Sequence, residues 1–359
     1  MAYTVDGSEN LDRHIQDDME RIRDAALEAV GPENLTALVL GGGYGRGEGG
    51  VYAVAGEERV YNDYDFFVVV PFRSRRRRKW VARQLQGVKE RLEPTCGVHV
   101  DFSPPMPVMD LPHLTYELMF MEAKRGHQVL YGPVDVFDAI PDFDPERPPL
   151  EECARLFMNR AVGLIFAGEK LRQSGALDTE DVEFVVRNIY KAYMAMGDSV
   201  LFREGRYSPS YVTRLDYFEQ LNLTGIPHHE ALASTYRNSI DFKLHPRHDV
   251  PGGTCLAEWH AIAVTQYLDV FLWFERARLE RPEMDWHEYA SLPARLSRPS
   301  GIGLLRCLLQ NLRYGRGLSL AGECFLQPRD RILKRLPALL QQPGRPDSAR
   351  VLKLWSHIG

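Results

Sequence analysis

Leu38-Val39-Leu40-Gly41-Gly42-Gly43-Tyr44-Gly45-Arg46-Gly47-Glu48-Gly49, followed by Tyr61-Asn62-Asp63-Tyr64-Asp65-Phe66-Phe67-Val68-Val69-Val70, decides the fold. Leu35 to Leu40 is a short apolar run suited to a β-strand, so the glycines leave a strand end. Asp63 and Asp65 stand two apart in a second strand-like run, and the period of two puts both carboxylates on one face. Paired carboxylates repel each other. A shared divalent cation removes that repulsion, and hard oxygen ligands suit magnesium.

The glycines supply the complementary half. Glycine lets backbone approach a ligand closely and turn through positive φ, and successive N–H groups in such a turn form a nest for phosphate oxygens. Gly41-x-Gly43-x-x-Arg46 departs from the dinucleotide pattern because Arg46 stands where a third glycine belongs, and no Gly-Lys-Ser/Thr follows. A third carboxylate comes from Gly97-Val98-His99-Val100-Asp101-Phe102, a β-like run closed by Ser103-Pro104-Pro105. Alternation sets His99 and Asp101 on one face and Val98, Val100 and Phe102 on the other.

Strand, glycine turn, Asp-x-Asp and a later Asp together resemble the nucleotidyltransferase superfamily, whose fold is the DNA polymerase beta-like one. The local motif is most similar to the nucleotidyltransferase domain of protein-PII uridylyltransferases, matched by Gly42-Gly43-Tyr44-Gly45-Arg46-Gly47-Glu48 and Asp63-Tyr64-Asp65 over roughly the first third of the chain. Asn62 departs from the family's usual Ser. Residues 50 to 61 lengthen the segment before the aspartates and read as an inserted hairpin over Val51–Val54, Gly56-Glu57-Glu58 and Arg59–Tyr61. The resemblance implies two magnesium ions, or manganese in their place, on Asp63, Asp65 and Asp101, with Asp101 as the base for the acceptor hydroxyl or its orienter. It also implies a nucleoside triphosphate, such as ATP, beside Gly42, Gly43, Tyr44, Arg46 and Glu48. The plainer readings are strand-end acids in turns, an Arg46–Glu48 surface pair and a packed His99.

The chain has 359 residues, 44% of them hydrophobic, enough for two domains. A formal charge of −5 gives no global argument for nucleic acid. The five cysteines lack Cys-x-x-Cys spacing, which suggests reduced thiols. With no signal-like or membrane-length apolar run, a soluble cytoplasmic protein is expected, with no membrane partner.

Helix, strand, glycine turn, strand, helix, strand gives an α+β class: a small mixed-sheet nucleotidyltransferase domain over 1–139, a proline-rich linker over 140–150 and an all-helical domain over 151–359 that closes the nucleotide cleft. Apolar spacing marks helices through Leu11–Val30, Trp80–Leu92 (ending before Pro94), Leu114–Lys124, Cys153–Leu171 (broken at Ser174-Gly175) and Val182–Met196, the last capped near Asp178. On that helix Arg187, Lys191 and Asp198 can share a face. By resemblance Lys191, with Arg187 as its substitute, supplies a cation to the triphosphate; the plainer reading is a salt-bridged helix face.

Two further segments carry conspicuous charge or histidine clusters. Arg73-Ser74-Arg75-Arg76-Arg77-Arg78-Lys79 could grip RNA phosphates or an acidic partner, or simply be a solvated helix entry. His245-Pro246-Arg247-His248-Asp249 invites comparison with His-Asp phosphohydrolases, but its surroundings, Pro246 and Pro251-Gly252-Gly253, suit a turn. The expected activity is magnesium-dependent transfer of a nucleoside monophosphate to a hydroxyl of a small molecule or sugar. The alternatives are the same transfer to a protein or RNA acceptor, or a non-catalytic nucleotide-binding regulator.

Overall fold

The computed structural model describes residues 2–144, 147–173, 176–247, 250, 255–297, 302–314, 323–342 and 348–357. The Ser174-Gly175 break, His248-Asp249 and the Pro251-Gly252-Gly253 turn lie outside them. The chain forms two compact units. The first comprises Met1–Pro145, Ser208–Leu215 and Ile240–Arg247, and the second comprises Glu146–Tyr207, Asp216–Ser239 and His248–Gly359. The class is α+β, with a mixed sheet followed by helices.

The first unit begins with α1 (Glu9–Val30), capped by the Ser8 side chain, which accepts from the Leu11 N–H. Its Leu11, Ile15, Met19, Ile22, Ala26 and Val30 stripe is buried, and each large apolar side chain so placed contributes about 1.5–3 kcal/mol. After it come β1 (Ala37–Leu40), the single turn α2 (Gly42–Gly45), the hairpin of β2 (Val51–Val54) and β3 (Glu57–Val60), and β4 (Asp63–Val70). Then follow α3 (Arg75–Cys96), β5 (His99–Phe102), β6 (Met106–Pro107), α4 (Leu118–Arg125) and β7 (Gln128–Tyr131).

Several bounds differ from the sequence reading. Leu35 lies before β1, closing a short 3-10 turn over Pro32–Asn34. Leu114 likewise closes a 3-10 turn over Val108–His113, so α4 starts four residues later. α3 runs through Pro94 and stops at Gly97, whose φ of 71° ends the helix while its N–H bonds the Glu93 carbonyl.

In the main sheet the order is β5-β4-β1-β7, with β6 also pairing β4. β1 is antiparallel to both β4 and β7, whereas β5 and β6 run parallel to β4. Alternation divides the core in two. Leu38, Leu40, Tyr64, Phe66, Val68 and Val70 pack with α1 and α3, and Ala37, Val39, Phe67 and Val69 pack with Leu111, Ala123, Phe137 and Ile140. Asp63 and Asp65 share the parity of Phe67 and Val69, but lie toward the open end of β4, beside the turn that leaves β1.

The second unit is built from helices. These are α5 (Leu150–Leu171), α6 (Thr179–Arg203), α9 (Leu256–Arg278), α10 (Trp286–Ser291), α11 (Ile302–Tyr314), α12 (Pro328–Gln341) and α13 (Ser348–Trp355), with parts of α7 (Tyr211–Glu219) and α8 (His229–Leu244). Asp178 caps α6 through the Asp181 N–H. Among the described residues no helix is long and apolar enough to cross a membrane.

Candidate active site

Register brings the three acids together. β4 and β5 pair in parallel with Asp65 opposite Asp101 and Asp63 opposite His99. Carboxylate oxygens of Asp63, Asp65 and Asp101 lie within 4.8 Å of one another. Ligands trans across magnesium stand about 4.2 Å apart, so small rotations would gather all three on one ion. The donor set, three carboxylates and no sulfur or imidazole, fits a hard divalent cation. His99 instead approaches Glu93, 3.2 Å from Nδ1.

The glycine turn is locked to the same strand. The Gly41 N–H bonds the Asp65 carbonyl at 2.8 Å. Gly42 has φ of 61°, and a β-carbon there would lie 2.4 Å from Asp65 Oδ2. Asp65 is open to solvent yet ringed by protein atoms. Its carboxyl is pushed up to about 6, first by desolvation and then by the charge of Asp63, with Asp101 adding to the rise and Lys243 and Arg46 opposing it. A group so poised gains from a neighbouring cation.

Tyr44, Arg46 and Glu48 are tied into the fold around the turn. The buried Tyr44 hydroxyl donates to the Gly50 carbonyl at 2.8 Å and accepts from the Tyr61 N–H at 2.8 Å. Glu48 is 7% exposed. It accepts from Ser210 Oγ at 2.6 Å, from the Tyr211 N–H at 2.9 Å and from the Val212 N–H at 3.4 Å, so it caps the start of α7. Arg46 lies 4.0 Å from Glu48 and 3.4 Å from Glu122, and Arg214 meets Glu122 at 2.6 Å. Arg46, Arg214 and Lys243 all approach the Tyr211 ring, with Lys243 Nζ 5.7 Å from its centre.

Two cations escaped the sequence reading. Lys89 of α3 donates to Asp101 Oδ1 at 2.5 Å and lies 3.5 Å from Glu93. Partial burial lowers its pKa, but the bond to Asp101 and the two nearby carboxylates outweigh that and raise it. A helix residue twelve positions before a strand acid gives no local signal. Lys243 is half-buried on the 240–247 segment that joins the first unit. It makes no carboxylate ion pair among the described residues.

Arg187 and Lys191 lie on α6 in the second unit. Arg187 Nη1 is 3.9 Å from Glu183. Asp198, expected on their face, is buried and accepts from the Tyr236 hydroxyl at 2.8 Å.

No protein-family model and no curated protein matches the chain. Among solved structures it is similar to spectinomycin adenyltransferase AAD(9) from Enterococcus faecialis, solved with ATP and spectinomycin. Identity is 13%, with 70% of this chain and 98% of that one covered and a TM-score of 0.40. At that similarity the chemistry of this chain rests on its own side chains.

Proposed function

We propose that the protein is a divalent-metal-dependent nucleotidyltransferase of the superfamily its motif resembles, transferring a nucleoside monophosphate from a triphosphate to a hydroxyl of a small molecule. The observation that carries this reading is the three-carboxylate cluster on paired parallel strands, beside a glycine turn whose Gly42 abuts Asp65. Asp63 and Asp65 would hold the metal, magnesium by preference, with Asp101 completing the set. The bound ions would neutralise the triphosphate and acidify the acceptor hydroxyl.

The protein's own groups position the reactants. The backbone at Gly42 and Gly43, bare of side chains, admits phosphate oxygens close to the strand end. Arg46 and Glu48, with Tyr44, hold that turn in shape. Lys243, on the unit that carries the acids, faces the triphosphate, alongside the cation role that the resemblance assigns to Lys191, with Arg187 as its substitute. In transfer, the acceptor oxygen bonds the α-phosphorus and the bond from that phosphorus to the departing pyrophosphate breaks. Asp101 receives the hydroxyl proton, with its carboxylate held in place by Lys89. Positioning and charge neutralisation supply most of the acceleration in such chemistry.

A small acceptor is favoured by the rim. Tyr61, at the base of the inserted hairpin, meets Phe242 edge-on at 6.2 Å, and a β-carbon on Gly50 would be 3.1 Å from the Lys243 carbonyl. Those contacts pack the base of the hairpin against the 240–247 segment. The test is thermal stabilisation by each of the four ribonucleoside triphosphates with magnesium, followed by pyrophosphate release across a panel of hydroxylated small molecules. Selective stabilisation that Asp63→Asn abolishes supports the reading. Stabilisation by no triphosphate, or equally in the variant, overturns it.

A further inference from the structure

The arginine-rich entry to α3 divides into two sets with different surroundings. Arg73 pairs with Asp110 at 2.9 Å, Arg77 donates to Asn34 and lies over the Phe72 ring, and Arg78 donates to the Pro105 carbonyl. These three tie the helix to its own unit. Arg75, Arg76, Lys79 and Arg83 are exposed and make no ion pair or hydrogen bond among the described residues. Together with Trp80 they line a shallow depression on the helix surface. Trp80 is 40% exposed, whereas every other described Phe or Tyr ring in this unit is buried or half-buried.

Folding does not account for this face. Positive charge in the first turn of a helix opposes its dipole, and α3 has no acid there. Positions 75/76, 79/80 and 83 follow the i, i+4 spacing of one helix face, in steps of about 6 Å along the axis. That spacing is comparable with the phosphate repeat of an extended strand, and the open indole lies among the cations where a base can stack. Carboxylates of an acidic peptide would use the charges but not the ring, and a membrane surface would need more apolar area than one Trp. Unpaired, splayed bases are characteristic of RNA loops and ends.

We propose that this face of α3 is a docking surface for single-stranded RNA, with Arg75, Arg76, Lys79 and Arg83 on phosphates and Trp80 stacked on a base. Such contacts are sequence-tolerant and strongly salt-dependent. The surface is distinct from the carboxylate cluster, so RNA held here is not thereby an acceptor.

The test is fluorescence anisotropy of a labelled 12-nucleotide oligouridylate with the full chain between 50 and 200 mM salt. Four phosphate contacts to a single strand give a log–log slope of about −2.8, or roughly a 50-fold loss of affinity over that range. Arg76→Ala with Arg83→Ala should halve the slope, leaving roughly a 7-fold loss. Trp80→Ala should weaken binding by roughly 5- to 150-fold with little change in slope. Asp63→Asn should bind as the wild type does, and the double arginine variant should melt no lower, since Arg76 and Arg83 are exposed. Absence of binding at 50 mM salt, indifference to Trp80→Ala, dependence on Asp63, or tighter binding of anionic vesicles or a polyglutamate peptide would each overturn the proposal.

Discussion

Gly42 and Asp65 approach so closely that a β-carbon on the glycine would lie 2.4 Å from the carboxylate Oδ2. The backbone there also has φ of 61°, a region that side chains other than glycine's adopt at a cost of about 1–2 kcal/mol. Gly42→Ala should therefore lower stability by about that amount and push Asp65 off its position. A denaturant titration and a transfer assay on the same sample check this. Transfer should fall well beyond the fraction unfolded, whereas loss in proportion to unfolding would mean the contact matters only for folding.

Asp63→Asn and Asp65→Asn should each abolish transfer, by about a thousandfold or more, because several kcal/mol of charge stabilisation depends on the ligands they remove. The metal-free proteins should be no less stable. Asp65 titrates near 6 in the folded protein, above the ordinary carboxylate value. The folded state thus binds the extra proton between about pH 4 and 6, and wild-type stability declines as pH rises through that window. Asn removes the decline, so Asp65→Asn should melt above the wild type at pH 7 without metal, and the gap should close at pH 4.

Lys89 occupies Asp101 at 2.5 Å and competes with any cation for that oxygen. Lys89→Met should tighten magnesium binding several-fold while lowering transfer about tenfold, since Asp101 loses its positioning partner. Calorimetric titration of magnesium and steady-state kinetics separate the two effects. Unchanged metal affinity would show that Lys89 does not contest the site.

How much was legible follows from the range of each interaction. Period-two alternation placed Asp63 and Asp65 on one face, and the hairpin over residues 51 to 60 followed from two short runs around Gly56. The opposition of Asp65 and Asp101 needed only the assumption that β5 pairs with β4. Glu48 was different. Its partners lie more than 160 positions away, at Ser210, Tyr211 and Val212, so nothing near Glu48 announces a helix cap. Lys243 was hidden for the same reason: residues 240–247 look like the end of a helix in a helical region, yet they belong to the sheet-bearing unit.

Glu48→Ala tests that long-range cap. It would strip Ser210 Oγ and two backbone N–H groups of their acceptor in a partly buried setting, and leave Arg46 with one carboxylate fewer. The expected cost is about 2 kcal/mol. Proteolysis should show cleavage near residues 208–215 rising before global unfolding. Glu48→Gln, which keeps one acceptor oxygen, should recover part of the loss, and a variant as stable as the wild type would remove Glu48 from the fold's support.

His245 joins the two ends of the first unit, with Nε2 2.7 Å from Asp6 and Nδ1 3.2 Å from Asp241, whose other oxygen meets Arg247 at 2.6 Å. Partial desolvation pulls the imidazole pKa down, but the bonds to Asp6 and Asp241 outweigh it and raise the pKa above its ordinary value. The imidazolium is thus the form that the folded state favours. Its contribution is fully present below the unfolded value of about 6.5 and is lost as pH rises through the folded value. Comparing wild type with His245→Gln at pH 5.5 and 8.5 should show the wild type melting higher at the lower pH by about one to two degrees, a modest gap because the pair is partly exposed. At pH 8.5 the two should melt together, and 0.5 M salt should shrink the gap at pH 5.5. A gap of equal size at both pH values would mean that the neutral ring's packing, and not its charge, ties Asp6 to the 240–247 segment.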